Sequence, residues 1–286
     1  MRPAVLLAAC AALLLAGCAS AGAANDGRMP VSAAFYPLQF VAERVGGEHV
    51  RVTGLTTPGV EPHDLELTPR AVGSLAKARA VVYLAGFQAA VDSAVRTQAA
   101  DAGVDVTAAA RLEGKDPHFW LDPTRLADVA TAVGEDFARR DPANAADYRA
   151  NAAALDAELA VLDTEFRTGL ARCRTRELVT GHAAFGYLAQ RYGLHQEGVA
   201  GMSPDIEPDA ATLRDLSAHV RDAGVSTVYS ESLVSPALAQ TVAREAGAQV
   251  AVLDPLEGIT DLSKGRDYLE VMRANLRTLR AGQVCS

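Results

Sequence analysis

Lysine is nearly missing from this 286-residue chain: Lys77, Lys115 and Lys264 stand beside 24 arginines, a skew that reads as codon bias of a GC-rich genome rather than as function. Positive charge as a whole is in deficit, 27 Lys+Arg against 35 Asp+Glu for a net charge of −8. That argues against a nucleic-acid binder, which carries a basic face. The four cysteines form no CxxC, which leaves out a zinc finger or a thioredoxin-type redox site. No HExxH or GxSxG occurs, so the usual marks of a zinc protease or a serine hydrolase are absent. What is there suffices for a globular fold. With 49% hydrophobic and 22% charged residues, one or two domains with a real core are possible, and a disordered chain, a coiled coil or a collagen-like repeat is excluded.

The N-terminus reads as an export signal. Ala4 to Ala16 is an apolar run of 13 residues, too short for a bilayer, which needs about 20, but matching the h-region of a secretory signal. It ends in Leu15-Ala16-Gly17-Cys18, which resembles a bacterial lipobox. In that reading residues 1–17 are removed, Cys18 is lipidated and 18–28 is a tether. An ordinary signal with Cys18 incidental is the alternative. Cys173 and Cys285 then remain as a pair in an oxidising compartment, expected as a disulfide, with two free thiols as the other possibility.

The rest reads as two similar α/β lobes, 29–140 and 173–286, joined by a long helix within 141–172. Strands are expected at Val31–Tyr36, Val50–Leu55, Ala80–Ala85 and Val104–Thr107, then at Leu178–Gly181, Gln196–Val199, Val225–Ser230 and Gln249–Leu253. Helices alternate with them. Thr68-Pro69 and Asp122-Pro123 mark two helix starts, and Ala183–Tyr192 and Arg266–Ala281 are further helices. Alternation at this spacing indicates βαβ units and a doubly wound parallel sheet in each lobe. Tyr148, Ala152, Leu155, Leu159, Leu162, Phe166 and Leu170 recur at steps of three and four, one apolar stripe of a helix. A helix of thirty residues would run about 45 Å and act as a strut.

Three of the six histidines lie in turn-rich segments: His63 in Glu61-Pro62-His63-Asp64, His118 in Asp116-Pro117-His118-Phe119-Trp120, and His182 after Gly181. Leu253-Asp254-Pro255 places a carboxylate at the end of the last strand. Ligands of doubly wound sheets gather outside the carboxyl ends of strands, and neutral imidazoles with one carboxylate suit zinc above other divalent ions. Spacing alone leaves this open, since a lone loop histidine is more often solvated than a ligand.

These segments, in this order and with the lipobox, resemble the substrate-binding lipoproteins of bacterial zinc/manganese ABC transporters, the cluster A-I solute-binding family. The resemblance implies two α/β lobes joined by a rigid helix, with the metal between them. It implies His63 and His118 as ligands from the first lobe and His182 and Asp254 from the second, Zn2+ as the captured ion, and a membrane permease as partner of a lipid-anchored monomer that is not an enzyme. Glu231 matches a glutamate near the family's site and would orient a histidine or stand as a spare ligand; a plain strand-end carboxylate is the alternative. The His-rich insertion of many zinc members is missing between His63 and His118, which weakens a scavenging role rather than zinc binding. Manganese-selective members tend to carry glutamate where His182 stands, so an Mn2+ binder is the runner-up. A secreted zinc hydrolase, with Asp254 off the metal and Glu231 as base, is the remaining alternative. Glu61 and Asp64 read as solvated turn carboxylates, with orienting of His63 as the alternative, Trp120 as packing under the His118 loop, and His49, His195 and His219 as surface or locally bonded residues. Because histidine titrates near ~6.5, metal affinity is expected to fall from pH 7 to 5.

Overall fold

The computed structural model describes residues 27–206 and 208–286. Cys18, the signal segment and nearly all of the tether lie outside the described residues. The chain runs β1 (Met29–Ala33), α1 (Tyr36–Gly46), β2 (Val50–Gly54), α2 (Pro69–Leu75), β3 (Ala80–Tyr83), α3 (Ala89–Gln98), β4 (Gly103–Asp105), α4 (Thr107–Ala110), α5 (Pro123–Arg140) and α6 (Ala145–Gly169). It continues with β5 (Glu177–Thr180), α7 (Gly186–Tyr192), β6 (His195–Gly198), α8 (Ala210–Asp222), β7 (Thr227–Ser230), α9 (Ala237–Ala246), β8 (Gln249–Val252) and α10 (Tyr268–Gly282).

The two halves repeat one topology. Their sheets have the orders β2-β1-β3-β4 and β6-β5-β7-β8, parallel throughout. Both therefore have a switch point, between β1 and β3 and between β5 and β7, where a crevice opens at the strand C-termini. The expected caps are in place: Thr68 accepts the N–H of Ala71 at 3.2 Å and Asp122 that of Thr124 at 2.9 Å, each followed by a proline in the first helical turn. Some boundaries move for local reasons. Strand β1 stops at Ala33 because the carbonyl of Phe35 already accepts from Leu38 and Gln39. Helix α7 begins at Gly186 rather than at residue 183, and the Ala183 N–H bonds the carbonyl of Gly201.

Helix α6 is the strut. Its 25 residues give about 38 Å, shorter than expected because a separate turn, Pro142–Asn144, precedes it. All seven residues of its apolar stripe, Tyr148 through Leu170, are buried. Near its start Asp147 meets His49 at 2.9 Å, just before β2. Its end lies just before β5, so it runs from the base of one sheet to the base of the other, and both sets of strand C-termini face the waist. There the halves are welded. Trp120 Nε1 donates to the Pro255 carbonyl (2.8 Å), Tyr268 Oη to the Trp120 carbonyl (2.6 Å) and Tyr187 Oη to the Asp116 carbonyl (3.0 Å). One core spans the first sheet, α6 and α10, and a smaller one, with Val179, Val220, Val228 and Val242, lies under the second sheet. The Cys173–Cys285 disulfide closes the base of the second half. Among the described residues no helix is long and apolar enough to cross a membrane.

Candidate metal centre

The three histidines singled out from the sequence meet at the waist. Nε2 of His63 lies 3.2 Å from Nε2 of His118, which lies 3.3 Å from Nε2 of His182. The fourth member is Glu257, not Asp254. Oε1 of Glu257 is 3.0 Å from His63 Nε2, 3.2 Å from His118 Nε2 and 3.5 Å from His182 Nε2. A tetrahedron with arms of about 2.0–2.1 Å, the usual zinc–nitrogen and zinc–oxygen lengths, has edges of about 3.3–3.4 Å. Five of the six donor–donor separations, 3.0–3.5 Å, suit a four-coordinate zinc shell, and all four donors lie within 4.8 Å of one another. Three of the side chains are sealed from solvent, and only His63 reaches it, at 11% exposure.

Asp254 lies outside that set, and its oxygens are engaged in building the turn. Oδ1 accepts the N–H of Leu256 at 2.8 Å, the Asx-turn habit of aspartate, and Oδ2 accepts the hydroxyl of Ser263 at 2.7 Å. Leu256 then adopts a left-handed backbone, φ 60°, and the next residue is Glu257, buried among the imidazoles. Asp254 thus shapes the turn that ends in the donor. The sequence signal was an Asp-Pro turn opener followed by a carboxylate three residues from the aspartate.

Each buried histidine is braced through its other edge. Glu231 accepts the His182 N–H at 2.6 Å through Oε1 and lies 2.5 Å from its Nδ1 through Oε2. That leaves Nε2 as the lone-pair nitrogen facing the centre. Gly181 is needed beside it, because a Cβ there would come within 2.6 Å of the Glu231 carboxylate. Asp116, not singled out from the sequence, does the same for His118 with one oxygen, Oδ1, at 2.9 Å from the backbone nitrogen and 2.8 Å from Nδ1. Its place two residues before the histidine, ahead of a proline, was the available signal. Glu61 is not a solvated turn residue: it is mostly buried, and its Oε2 accepts the His63 N–H at 2.9 Å. Trp120 is fully buried against His118, ring centroids 5.2 Å apart.

Burial lowers the pKa of His182, but hydrogen bonds to Glu231 and Glu257 overcome it and push the value up to about 10. His118 is raised too, its bonds to Asp116 and Glu257 outweighing burial. Burial would raise Glu257, yet its bonds to His118, His182 and His63 hold it well below the usual carboxylate range. A positive ion is therefore what these groups are arranged to surround. The remaining histidines stay outside: His49 pairs with Asp147, and His195 and His219 approach Glu177 at 3.2 and 3.5 Å.

Residues 31–282 match the family described as zinc-uptake complex component A, periplasmic. The chain belongs to this family. It is 32% identical over 304 residues to the high-affinity zinc uptake system protein ZnuA of Bacillus subtilis, covering 96% of this chain and 95% of that protein. It is 32% identical over 300 residues to the zinc-binding lipoprotein AdcA of Streptococcus pneumoniae, covering 96% of this chain but 60% of AdcA. The chain thus spans little more than half the length of the AdcA relatives. Among solved structures, the Zn(II)-bound ZnuA-like domain of pneumococcal AdcA superposes with a TM-score of 0.78 at 32% identity, covering 90% of this chain and 99% of that one. The laminin-binding protein Lmb of Streptococcus agalactiae, described as having adhesin and metal-transporting activity, gives 0.80 at 28% identity over 89% and 99%.

Proposed function

We propose that this family member captures Zn2+ outside the cytoplasmic membrane and delivers it to the permease of an ABC transporter, as a monomer anchored through lipid on Cys18. Its metal ligands are His63, His118, His182 and Glu257, with Glu231 and Asp116 as positioning residues. The observation that carries the reading is the set of three imidazole nitrogens and one carboxylate oxygen, all within 4.8 Å of one another. Catalytic zinc sites leave one position to water, whereas four protein donors favour holding the ion. The relatives named for zinc support the choice of ion, and the AdcA relative named a lipoprotein supports the anchor.

Metal choice follows from donor hardness. Mn2+ favours oxygen and higher coordination, while Zn2+ accepts imidazole and four-coordination. Titration of the purified protein with both ions against one competing chelator is expected to give zinc the tighter binding by a wide margin. His182→Glu should narrow that margin, mainly by weakening zinc. Manganese held as tightly as zinc by the unaltered protein would overturn the assignment. The anchor is tested separately: Cys18→Ser should release the protein from the membrane or block its maturation, and unchanged detergent partitioning would refute it.

A further inference from the structure

Glu61 stands between the donor set and a neighbouring cavity. Its Oε2 accepts the His63 N–H, but Oε1 is buried with no hydrogen-bond partner among the described residues, 3.9 Å from Nε2 of His63. Buried carboxylate oxygens are rarely left unanswered, and a donor or a cation is the usual answer. The cavity beside it measures about 440 Å³ and is bounded in part by Glu61, Asp205, Glu231, Ser230 and Ser235 beside apolar residues such as Leu233 and Leu238, with no lysine, arginine or histidine among its described lining residues. Its polar wall is oxygen. Glu231 on that wall also braces His182, so the cavity adjoins the donor set along two ligands. Glu61 is not one of the four residues whose donor atoms lie within 4.8 Å of one another, yet it is close enough to His63 for one ion to touch both. His63 is in turn the only one of those four that solvent reaches, and it also lines a second cavity, with Phe87 and Lys115.

We propose that Glu61 is a transfer ligand, which together with His63 holds the divalent ion between the oxygen-lined cavity and the four-donor centre. The inference depends on the zinc reading given above. A hydrated ion entering the cavity exchanges water for the Glu61 carboxylate, then gains His63. It passes on to His118, His182 and Glu257 as the Glu61 contact is dropped. Leaving reverses these steps. Exchange of one donor at a time avoids the simultaneous loss of several ligands. A residue used only in passage lowers the barrier equally in both directions, so its removal slows entry and exit alike and leaves the equilibrium nearly untouched.

The test measures Zn2+ association and dissociation rates by stopped flow with a chromophoric chelator, on the mature protein and its Glu61→Gln variant. Glutamine keeps an oxygen for the His63 N–H, so the segment stays held. Both rates are expected to fall about tenfold, with Kd within about threefold of the parent. Asp64→Asn removes the same charge from the same segment and should slow association alone, and by less, through weaker steering. Unchanged rates in Glu61→Gln refute the proposal. So does slowing of association alone, which would be steering, or faster dissociation alone, which would make Glu61 a static support. Equal slowing in Asp64→Asn refutes it too. Should Glu61→Gln fold poorly, Glu61→Asp keeps the charge but shortens the reach, and its rates are expected to fall together; rates equal to the parent's refute the proposal. A parent protein that binds no zinc would instead defeat the functional reading itself.

Discussion

Replacing Glu231 by glutamine changes almost no volume but removes one acceptor from a place that uses two. The carboxylate takes the backbone N–H of His182 at 2.6 Å and faces Nδ1 of the same residue at 2.5 Å. Glutamine offers one oxygen and one NH2. If the NH2 meets the backbone N–H, two donors face each other in a buried space, which costs about 1–3 kcal/mol. If it meets Nδ1, that nitrogen must accept, and the ring proton moves to Nε2, the atom that should bind the ion. Either way zinc is held less well, by the ten- to hundredfold typical of losing a bracing partner, or about 1.4–2.7 kcal/mol. Asp116→Asn should cost less, because one oxygen of Asp116 serves both donors of His118 and an asparagine can place its own oxygen there. Competition titration with a chelator of known affinity, at one pH and salt, compares the two variants. Glu231→Gln binding zinc within threefold of the parent, or Asp116→Asn losing more than Glu231→Gln, would refute the tautomer argument.

Protons should compete with zinc over a higher pH range than free histidine suggests. The folded, ion-free protein holds a proton on His182 up to about pH 10, against about 6.5 in the unfolded chain. Its contribution to stability is therefore complete below pH 6.5 and lost as pH rises toward 10. Zinc must displace that proton, so affinity should climb between pH 6.5 and 9 by up to about tenfold per unit for each proton released. Calorimetry in two buffers of different ionisation enthalpy counts those protons, and an affinity independent of pH would refute the arrangement. Glu257→Ala should abolish most zinc binding with a modest change in melting temperature, whereas Asp254→Ala should cost about 1–3 kcal/mol of stability by unmaking the turn. The reverse pattern, read from melting curves and metal titration, would restore Asp254 as the ligand. Breaking the Cys173–Cys285 bridge opens a loop spanning 112 residues, and the chain-entropy relation gives about 4–5 kcal/mol. Denaturant curves that coincide with and without reductant would contradict this, and zinc affinity should stay the same because the bridge lies at the base of its sheet.

The parts of this molecule legible in its sequence are those governed by a few neighbouring residues. Alternation of β-branched runs with helical stretches specifies two parallel sheets, and Thr68-Pro69 and Asp122-Pro123 start their helices wherever the chain goes, since a cap acts within one turn. The stripe from Tyr148 to Leu170 declares a buried helix face in the same way. His63, His118 and His182 stood out because histidines in turn-rich segments near strand ends are few. Tertiary structure decided which carboxylate joins them. Asp254 and Glu257 share one turn, and local pattern cannot say which points at the ion. The left-handed backbone at Leu256, the Ser263 hydroxyl on Asp254 and the weld of Trp120 to Pro255 decide it together. The burial of Glu61 and the bracing by Asp116 and Glu231 follow the same rule. Asp116 lies only two residues from His118, but the other two depend on segments 49 and 196 residues apart in sequence, His182 with Glu231 and Glu61 with Glu257, that become neighbours only when the two sheets face each other across the waist.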